Sequence, residues 1–533
     1  MIYDVLIIGA GAAGLTAALN AKKNGVNVAV ITKTLPTHCQ TVQAQGGINA
    51  VLYEDDDSVK QHIEDTYKGS YEIASKKNIS FMCKKAKETI NWLDSIGVPF
   101  TRNSKNQIAQ RKFGGTSKIR TCYSSDYTGL KIVHTLYDQC ISNDIKFFNE
   151  HQVLDLLVIN NECYGCLAYD IVDGKVKQFI SNNTVLATGG YAGIYKNYTT
   201  NSLSTTADGV ALAFKAGVNL SNIEFIQFHP TTLKSSNILI SESARGEGGY
   251  LLDKNKNRFI NELSTRDEIA REIYKRTVKN EEVYLDLRHI DKNKLEELLP
   301  QEIRLAKEFS NIDIKKQLLP IVPAAHYSMG GIKTDLNCKT SIKSLYACGE
   351  CAQADIHGAN RLGGNSLLEI VTFGKIAGIN ASKNINKEEI NFDNQVKELE
   401  IKIQLLLSRD KSLNNVYELK DKLGNLLIEK AGLFKNEDML KELKEELDNM
   451  KIILNRVSIE DKSKIYNKNL VEYFELENSL LIAQALCLSS LNRKESRGAH
   501  FRNDYKDKES KYQKPSIIKI FNKEISCSFE DII

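Results

Sequence analysis

At 533 residues the chain is too long for one hydrophobic core, so two to four domains are expected. Apolar residues make up 42% and charged residues 26%, the proportions of an ordinary soluble globular protein. The 71 basic and 67 acidic residues balance to +4 and are scattered, with no dense Lys/Arg cluster among aromatics, which argues against a nucleic acid as partner. No apolar run approaches the ~20 residues that span a bilayer; the longest, "SLLIAQALCLSSL" (479–491), reads as a buried helix.

The chain opens directly on a strand, "MIYDVLII", which leaves no room for a signal peptide or twin-arginine leader and predicts a cytoplasmic protein whose eleven cysteines are mostly reduced and buried. "VLIIGAGAAG" then sets Gly9, Gly11 and Gly14 between that strand and a helix, the dinucleotide fingerprint in its required context. The helix ends at Gly25. The next strand, "VNVAVI", ends at Thr32, where an acid usually holds the ribose; a hydroxyl can make the same hydrogen bond, but the exchange weakens a plain NAD reading. The loop "TLPTHCQTVQAQGG" (34–47) carries a histidine, a cysteine, three glutamines and two glycines, a composition suited to backbone lying against a ligand.

Residues 1–225 alternate strands and helices in the α/β manner, and 226–335 are more irregular and polar. Two later strands also end in glycines: "TVLATGG" at Gly189 and Gly190, and "SLYACGE" at Gly349 and Glu350, a glycine–acid pair suited to ribityl hydroxyls. Three such strand ends spread along the chain fit FAD better than NAD. Asp208 in "TTADGVALA" reads as a helix cap or a cofactor ligand. The pairs "CYGC" (163–166) and "CGEC" (348–351) lack a second pair nearby and read as buried thiols rather than a metal site. Beyond residue 395, Leu440, Leu443, Leu447, Met450 and Leu454 recur at helical spacing, as in a small antiparallel bundle, and 495–533 read as a polar tail.

"QFHPTT" (227–232), "SESARGEGG" (241–249), "STRDEIARE" (264–272), "AAHYSMGG" (324–331) and "HGANRLGGNSLLE" (357–369) hold His229, Arg266, His326 and Arg361, mostly in glycine-rich loops. Four cations or potential cations in a flavoprotein frame argue for a site that takes two carboxylates. With "AQGG", "FGG", "YLDLRH" and "RKESRGAH" in the same order, the chain resembles, nearly end to end, the flavoprotein subunits of succinate dehydrogenase and fumarate reductase, a family that also includes L-aspartate oxidases.

That resemblance implies a Rossmann-like FAD-binding domain in two parts (1–225 and 336–394) around an inserted α+β capping domain (226–335), followed by a helical domain (395–494) and the C-terminal region (495–533). It implies that His326 and Arg361 grip one carboxylate of fumarate or succinate and that His229 and Ser241 hold the other. Hydride would pass between flavin N5 and one methylene carbon, Arg266 would exchange the proton at its neighbour, and Glu242 and Arg245 would relay that proton to solvent. FAD would be bound by Gly9, Gly11, Gly14, Thr32, Lys33, Gln40, Gly46, Gly47, Gly189, Asp208, Glu350, Ser366 and Leu367.

Membrane-bound members join the flavin 8α-methyl to a histidine that directly precedes "TV" in the 34–47 loop; here that residue is Gln40, which cannot make the bond. His38 and Cys39 could reach it only by a register shift that the "TVQAQGG" frame opposes, so FAD is expected to be noncovalent and fumarate reduction favoured. The rival readings are an L-aspartate oxidase, a soluble fumarate reductase with a diffusible reductant, and a non-enzymatic flavin module. Aspartate oxidases carry an acid for the substrate ammonium at the position of Phe113, and the flavin module leaves the arginines and histidines without purpose. With no haem or iron–sulfur motif of its own, the chain implies an iron–sulfur partner subunit, through which it would sit peripherally on the cytoplasmic face of the inner membrane.

Overall fold

The structure, a computed structural model, describes residues 1–54, 56–385, 390–410, 414–522 and 524–531. Its centre is a seven-stranded sheet. The strands Lys146–Phe148, Val28–Ile31, Ile2–Ile8 and Lys175–Leu186 lie side by side in parallel, and Leu345–Ala347 pairs in parallel with the last of them. Glu162–Asp170 and His151–Ile159 extend the sheet antiparallel. Val5, Leu6, Ile7 and Ile8 are all buried, as the continuous apolar run of a parallel strand covered on both faces requires.

One face is covered by the alanine-rich helix Ala12–Lys23 and by Asn365–Ala381. The two approach so closely that Cβ atoms added at Gly374 and Gly378 would lie 2.6 and 2.2 Å from the carbonyl oxygens of Ala13 and Ala17. The other face shares one continuous core with the helices Asp393–Ser408, Val416–Ala431, Glu437–Leu454 and Lys468–Asn492. Leu440, Leu443, Leu447, Met450 and Leu454 form the buried stripe expected of Glu437–Leu454, and 479–491 falls within the buried helix Lys468–Asn492.

Between the two halves of the FAD-binding part lies an antiparallel sheet of Ile226–Leu233, Leu319–Ser328, Tyr284–Asp286 and Tyr250–Leu252, packed on the helices Arg266–Thr277, Lys292–Leu298 and Pro300–Ser310 around a core of its own. Asp126 joins this part to the FAD-binding part: its Oδ2 accepts hydrogen bonds from Gln301 N (2.7 Å) and Glu302 N (3.2 Å) at the start of Pro300–Ser310.

The expected polar tail is instead folded. Ser516–Phe521 and Glu524–Phe529 pair antiparallel and continue a sheet through Leu220–Ser221. Just before them Arg493 lies fully buried between Glu224 (2.6 Å) and Glu495 (3.0 Å), and Arg497 adds to Glu495 at 2.8 Å. Periodicity misses this segment because charged residues that pair internally read as solvated ones. Cys163, Cys166, Cys348 and Cys351 are buried. Among the described residues no helix is long and apolar enough to cross a membrane.

Candidate active site

A single long cavity begins at the glycine turn after the first strand and ends beneath the inserted part. Gly9, Gly11, Thr32, Lys33, Gln40, Gly46, Gly47, Gly189, Asp208, Glu350, Ser366 and Leu367 all line it. Gly9 adopts φ +108° and lies so near Ala187 that an added Cβ would meet its carbonyl oxygen at 2.3 Å. Gly189 has nothing within 4 Å of an added Cβ, whereas Gly190 abuts Ser328 and Glu350. Gly14 is not in the cavity wall; its added Cβ would sit 2.0 Å from Gly9 O, so it serves the close packing of the turn on the helix.

Two helices, Ala12–Lys23 and Asn365–Ala381, open on this cavity from Gly11 and Gly364 with no side-chain cap, which leaves N–H groups for a pyrophosphate and for an electron-rich ring edge. The buried Gln45 Oε1 in its wall has no hydrogen-bond partner among the described residues. Burial pushes the Glu350 carboxyl up to about 7, while Ser328 N and Oγ donate to it at 2.9 and 3.0 Å. This length, glycine lining and donor set fit FAD.

Lys33 and Asp208 are paired at 2.7 Å, and Glu475 of the Lys468–Asn492 helix joins Lys33 at 2.6 Å. Burial opposes the Lys33 charge, yet the two carboxylates hold its pKa above the ordinary lysine value. Asp208 is the first residue of its helix rather than its cap, and its second oxygen accepts from Asn478 Nδ2 at 2.9 Å.

The loop 34–47 folds into two short 3₁₀ turns, Pro36–His38 and Gln40–Gln43. His38 is exposed and outside the cavity wall; Cys39 lies in the wall, its thiol pKa raised by burial. Gln40 Oε1 accepts from Ser202 N at 2.7 Å. The neighbouring Thr200 Oγ1 meets His326 Nδ1 at 2.7 Å, and Asn201 Nδ2 donates to His326 O at 2.8 Å.

At the far end His229, Ser241, Glu242, Arg266, His326, Arg361 and Phe113 share the wall. Arg266 donates from Nε (2.8 Å) and Nη2 (2.6 Å) to Glu242 Oε2 and from Nη1 (3.0 Å) to Gln227 Oε1. Gln227 Oε1 also accepts from Arg361 Nη2 at 3.1 Å, so one buried carboxamide splints both guanidiniums. Within "QFHPTT" this lone glutamine carries no motif, so the sequence does not mark it. Arg361 stacks on Tyr327, 4.1 Å from the ring centroid; burial and the nearby Arg266 lower its pKa to about 10.

Burial raises the Glu242 carboxyl, but Arg266 and Arg245 outweigh it and hold the pKa below the usual range. Arg245 stands outside the wall, 3.9 Å from Glu242 Oε1, and donates to Glu262 O at 2.6 Å. His229 and His326 face each other at 5.0 Å. Burial lowers both pKa values well below the ordinary histidine value, with Arg266 and His326 adding to the effect on His229, and Arg266 and Arg361 on His326. Both are therefore neutral donors or acceptors. Ser241 caps the short helix Glu242–Gly246 through Ser243 N (3.2 Å). Its own N–H donates to the fully buried Glu302 at 3.1 Å. Phe113 lies against Gly46 and Gly363 with no charge of its own to offer.

A cavity that fits FAD and carries buried arginines in its wall defines an FAD-dependent oxidoreductase. Residues 4–367 match the family model of the FAD binding domain, and 420–532 that of the fumarate reductase flavoprotein C-terminus. The chain is 38% identical to the succinate dehydrogenase flavoprotein subunit of Rickettsia conorii, covering 95% of this chain and 91% of that one. It is 37% identical to the 8-methylmenaquinol:fumarate reductase flavoprotein subunit of Wolinella succinogenes, covering 99% and 90%. A mutated E. coli quinol fumarate reductase superposes with a TM-score of 0.95 at 33% identity, covering 100% of this chain and 97% of that one. The chain belongs to the succinate dehydrogenase/fumarate reductase flavoprotein subunit family.

Proposed function

We propose that the protein interconverts fumarate and succinate, favours fumarate reduction, holds FAD without a covalent link, and exchanges electrons with an iron–sulfur subunit. The observation that carries this reading is the buried Arg266–Glu242 pair, splinted through Gln227 to Arg361, in the wall of the FAD cavity. The cofactor, when bound, would supply the two-electron chemistry: its reduced form would give a hydride to one substrate carbon, and its oxidised form would take one.

The chain's own groups do the rest. Arg361 and His326 hold one carboxylate and His229 and Ser241 the other, and this positioning can contribute several kcal/mol. With both histidines neutral, Arg361 and Arg266 carry the positive charge that meets the dianion. Arg266 is fixed on three sides and delivers the proton to the carbon that becomes carbanion-like. A guanidinium is a weak acid, suited to a strongly basic acceptor. Glu242, a carboxylate at rest, takes up a proton from Arg245, 3.9 Å away, and passes it to Arg266, while solvent reprotonates Arg245. An uncharged Phe113 provides no partner for an ammonium group, which favours fumarate over aspartate. The test is turnover by the purified protein with reduced viologen and fumarate, set against aspartate and oxygen; faster turnover of aspartate rejects the reading.

A further inference from the structure

A second cavity of about 300 Å³, near the lower end of the size of small-molecule sites (roughly 300–1,000 Å³), meets the first across Arg266 and Arg361, which line both. Its walls come from four segments of the fold: Lys68 at the end of the helix Val59–Gly69, the 114–117 loop, Thr265 at the start of the Arg266–Thr277 helix, and the turn 360–363. Lys68, Gly115 and Ser117 are exposed, whereas Arg266 and Arg361 are 8% and 3% exposed, so the cavity leads from solvent to the two guanidiniums.

Arg266 in its wall is paired with Glu242, and the charges left unpaired, Lys68 and Arg361, are both positive. The single carboxylate in the wall, Asp65, is already engaged by Arg120 Nη1 (2.5 Å) and by Ser117 N and Oγ (3.0 and 2.7 Å). Lys68 makes no ion pair among the described residues, and Arg361 Nε has no hydrogen-bond partner among them. A dinucleotide seated along the first cavity occupies the path from that side, while the second leaves the face of Arg266 and Arg361 toward Lys68 open to solvent.

We propose that this second cavity is the entrance by which a small dicarboxylate reaches the Arg266–Arg361 pair, with Lys68 at its mouth as electrostatic guide. The inference rests on the fumarate/succinate reading above. A low-dielectric passage lined by one sign of charge raises the local concentration and arrival rate of an opposite charge, in a way that salt suppresses.

The test uses the FAD-loaded protein. Its kcat and kcat/KM for fumarate are measured, along with the association and dissociation rates of malonate followed by flavin absorbance. Wild-type protein that neither turns over fumarate nor binds malonate rejects the underlying reading and the entrance with it. Given wild-type turnover, Lys68→Glu is expected to lower kcat/KM and the malonate association rate about threefold to tenfold at low ionic strength. The malonate dissociation rate and kcat should stay unchanged, and the deficit should vanish in 0.5 M salt, about the ionic strength at which screening is shorter than the passage. Lys68→Cys allows a comparison within one preparation, independent of folding. An aminoethyl thiosulfonate reagent restores the positive charge and should restore the rate, whereas a sulfonatoethyl reagent should lower it further. Association rates indifferent to the charge at position 68, or a change confined to the dissociation rate, overturn the proposal.

Discussion

Arg266 is held by Glu242 and Gln227 rather than by solvent, so its guanidinium is aimed before substrate arrives. Arg266→Ala should lower kcat for fumarate by about 10²–10⁴-fold, the usual worth of a positioned acid, with FAD content unchanged. Arg266→Lys should rescue poorly, because an ammonium cannot serve Glu242 and Gln227 together; near wild-type turnover in Arg266→Ala would refute the assignment. Phe113→Glu sets a carboxylate beside a bound dianion and should raise KM for fumarate at least tenfold, by about 1.4 kcal/mol or more; an unchanged KM places Phe113 away from the substrate. Gln40 has its own task, accepting from Ser202 N next to the residues that hold His326. Denaturation in SDS should release all the flavin, leaving no fluorescent band on a gel. Gln40→His should attach flavin only if the imidazole leaves the Ser202 bond, a loss of about 1 kcal/mol.

Among the elements, the Pro300–Ser310 helix links the inserted part to the FAD-binding part through Asp126 and touches the site through Glu302 and Ser241 N. Burial pushes the Asp126 carboxyl up to about 6, against its two backbone hydrogen bonds. The folded protein therefore keeps a proton that the unfolded chain has released, so Asp126 lowers stability as pH rises from about 4 to about 6. Asp126→Asn keeps an acceptor for both N–H groups without the charge. Its Tm should fall less than that of wild type between pH 4 and pH 6, and identical slopes would show that Asp126 does not titrate in this window.

Across the whole molecule, the helical part is tied to the cofactor cavity by charge as well as by apolar packing. Lys33 joins Asp208 and Glu475, and Glu475 also meets Lys420 at 2.7 Å on the Val416–Ala431 helix. Abandoning a buried charge usually costs about 3–5 kcal/mol; here Lys33 keeps Asp208 and Lys420 keeps Glu472. Glu475→Gln should therefore destabilise by about 2 kcal/mol, seen as a lower Tm, and should also speed FAD loss on dilution. A lower Tm with unchanged FAD retention would mean that the network serves stability alone.

The sequence by itself determined the FAD-binding turn, the buried stripe of Glu437–Leu454 and the order of the strand-end glycines, because backbone turns, helix ends and periodicity are short-range properties of neighbouring residues. It also marked His229, His326, Arg266 and Arg361 as one group through the motifs that carry them, but the expected glycine-rich loops hold only Arg361: His229 and His326 lie on the strands Ile226–Leu233 and Leu319–Ser328, and Arg266 opens the helix Arg266–Thr277. The tertiary structure alone decided how they are held. Gln227 reaches Arg361 across 134 positions, Thr200 reaches His326 across 126 and Lys33 reaches Glu475 across 442, and no periodic pattern connects polar partners so far apart. For the same reason the C-terminal charges looked solvated when read along the chain, although Arg493 and Glu495 lie buried against Glu224, 269 positions from Arg493, where burial makes each charge require its partner.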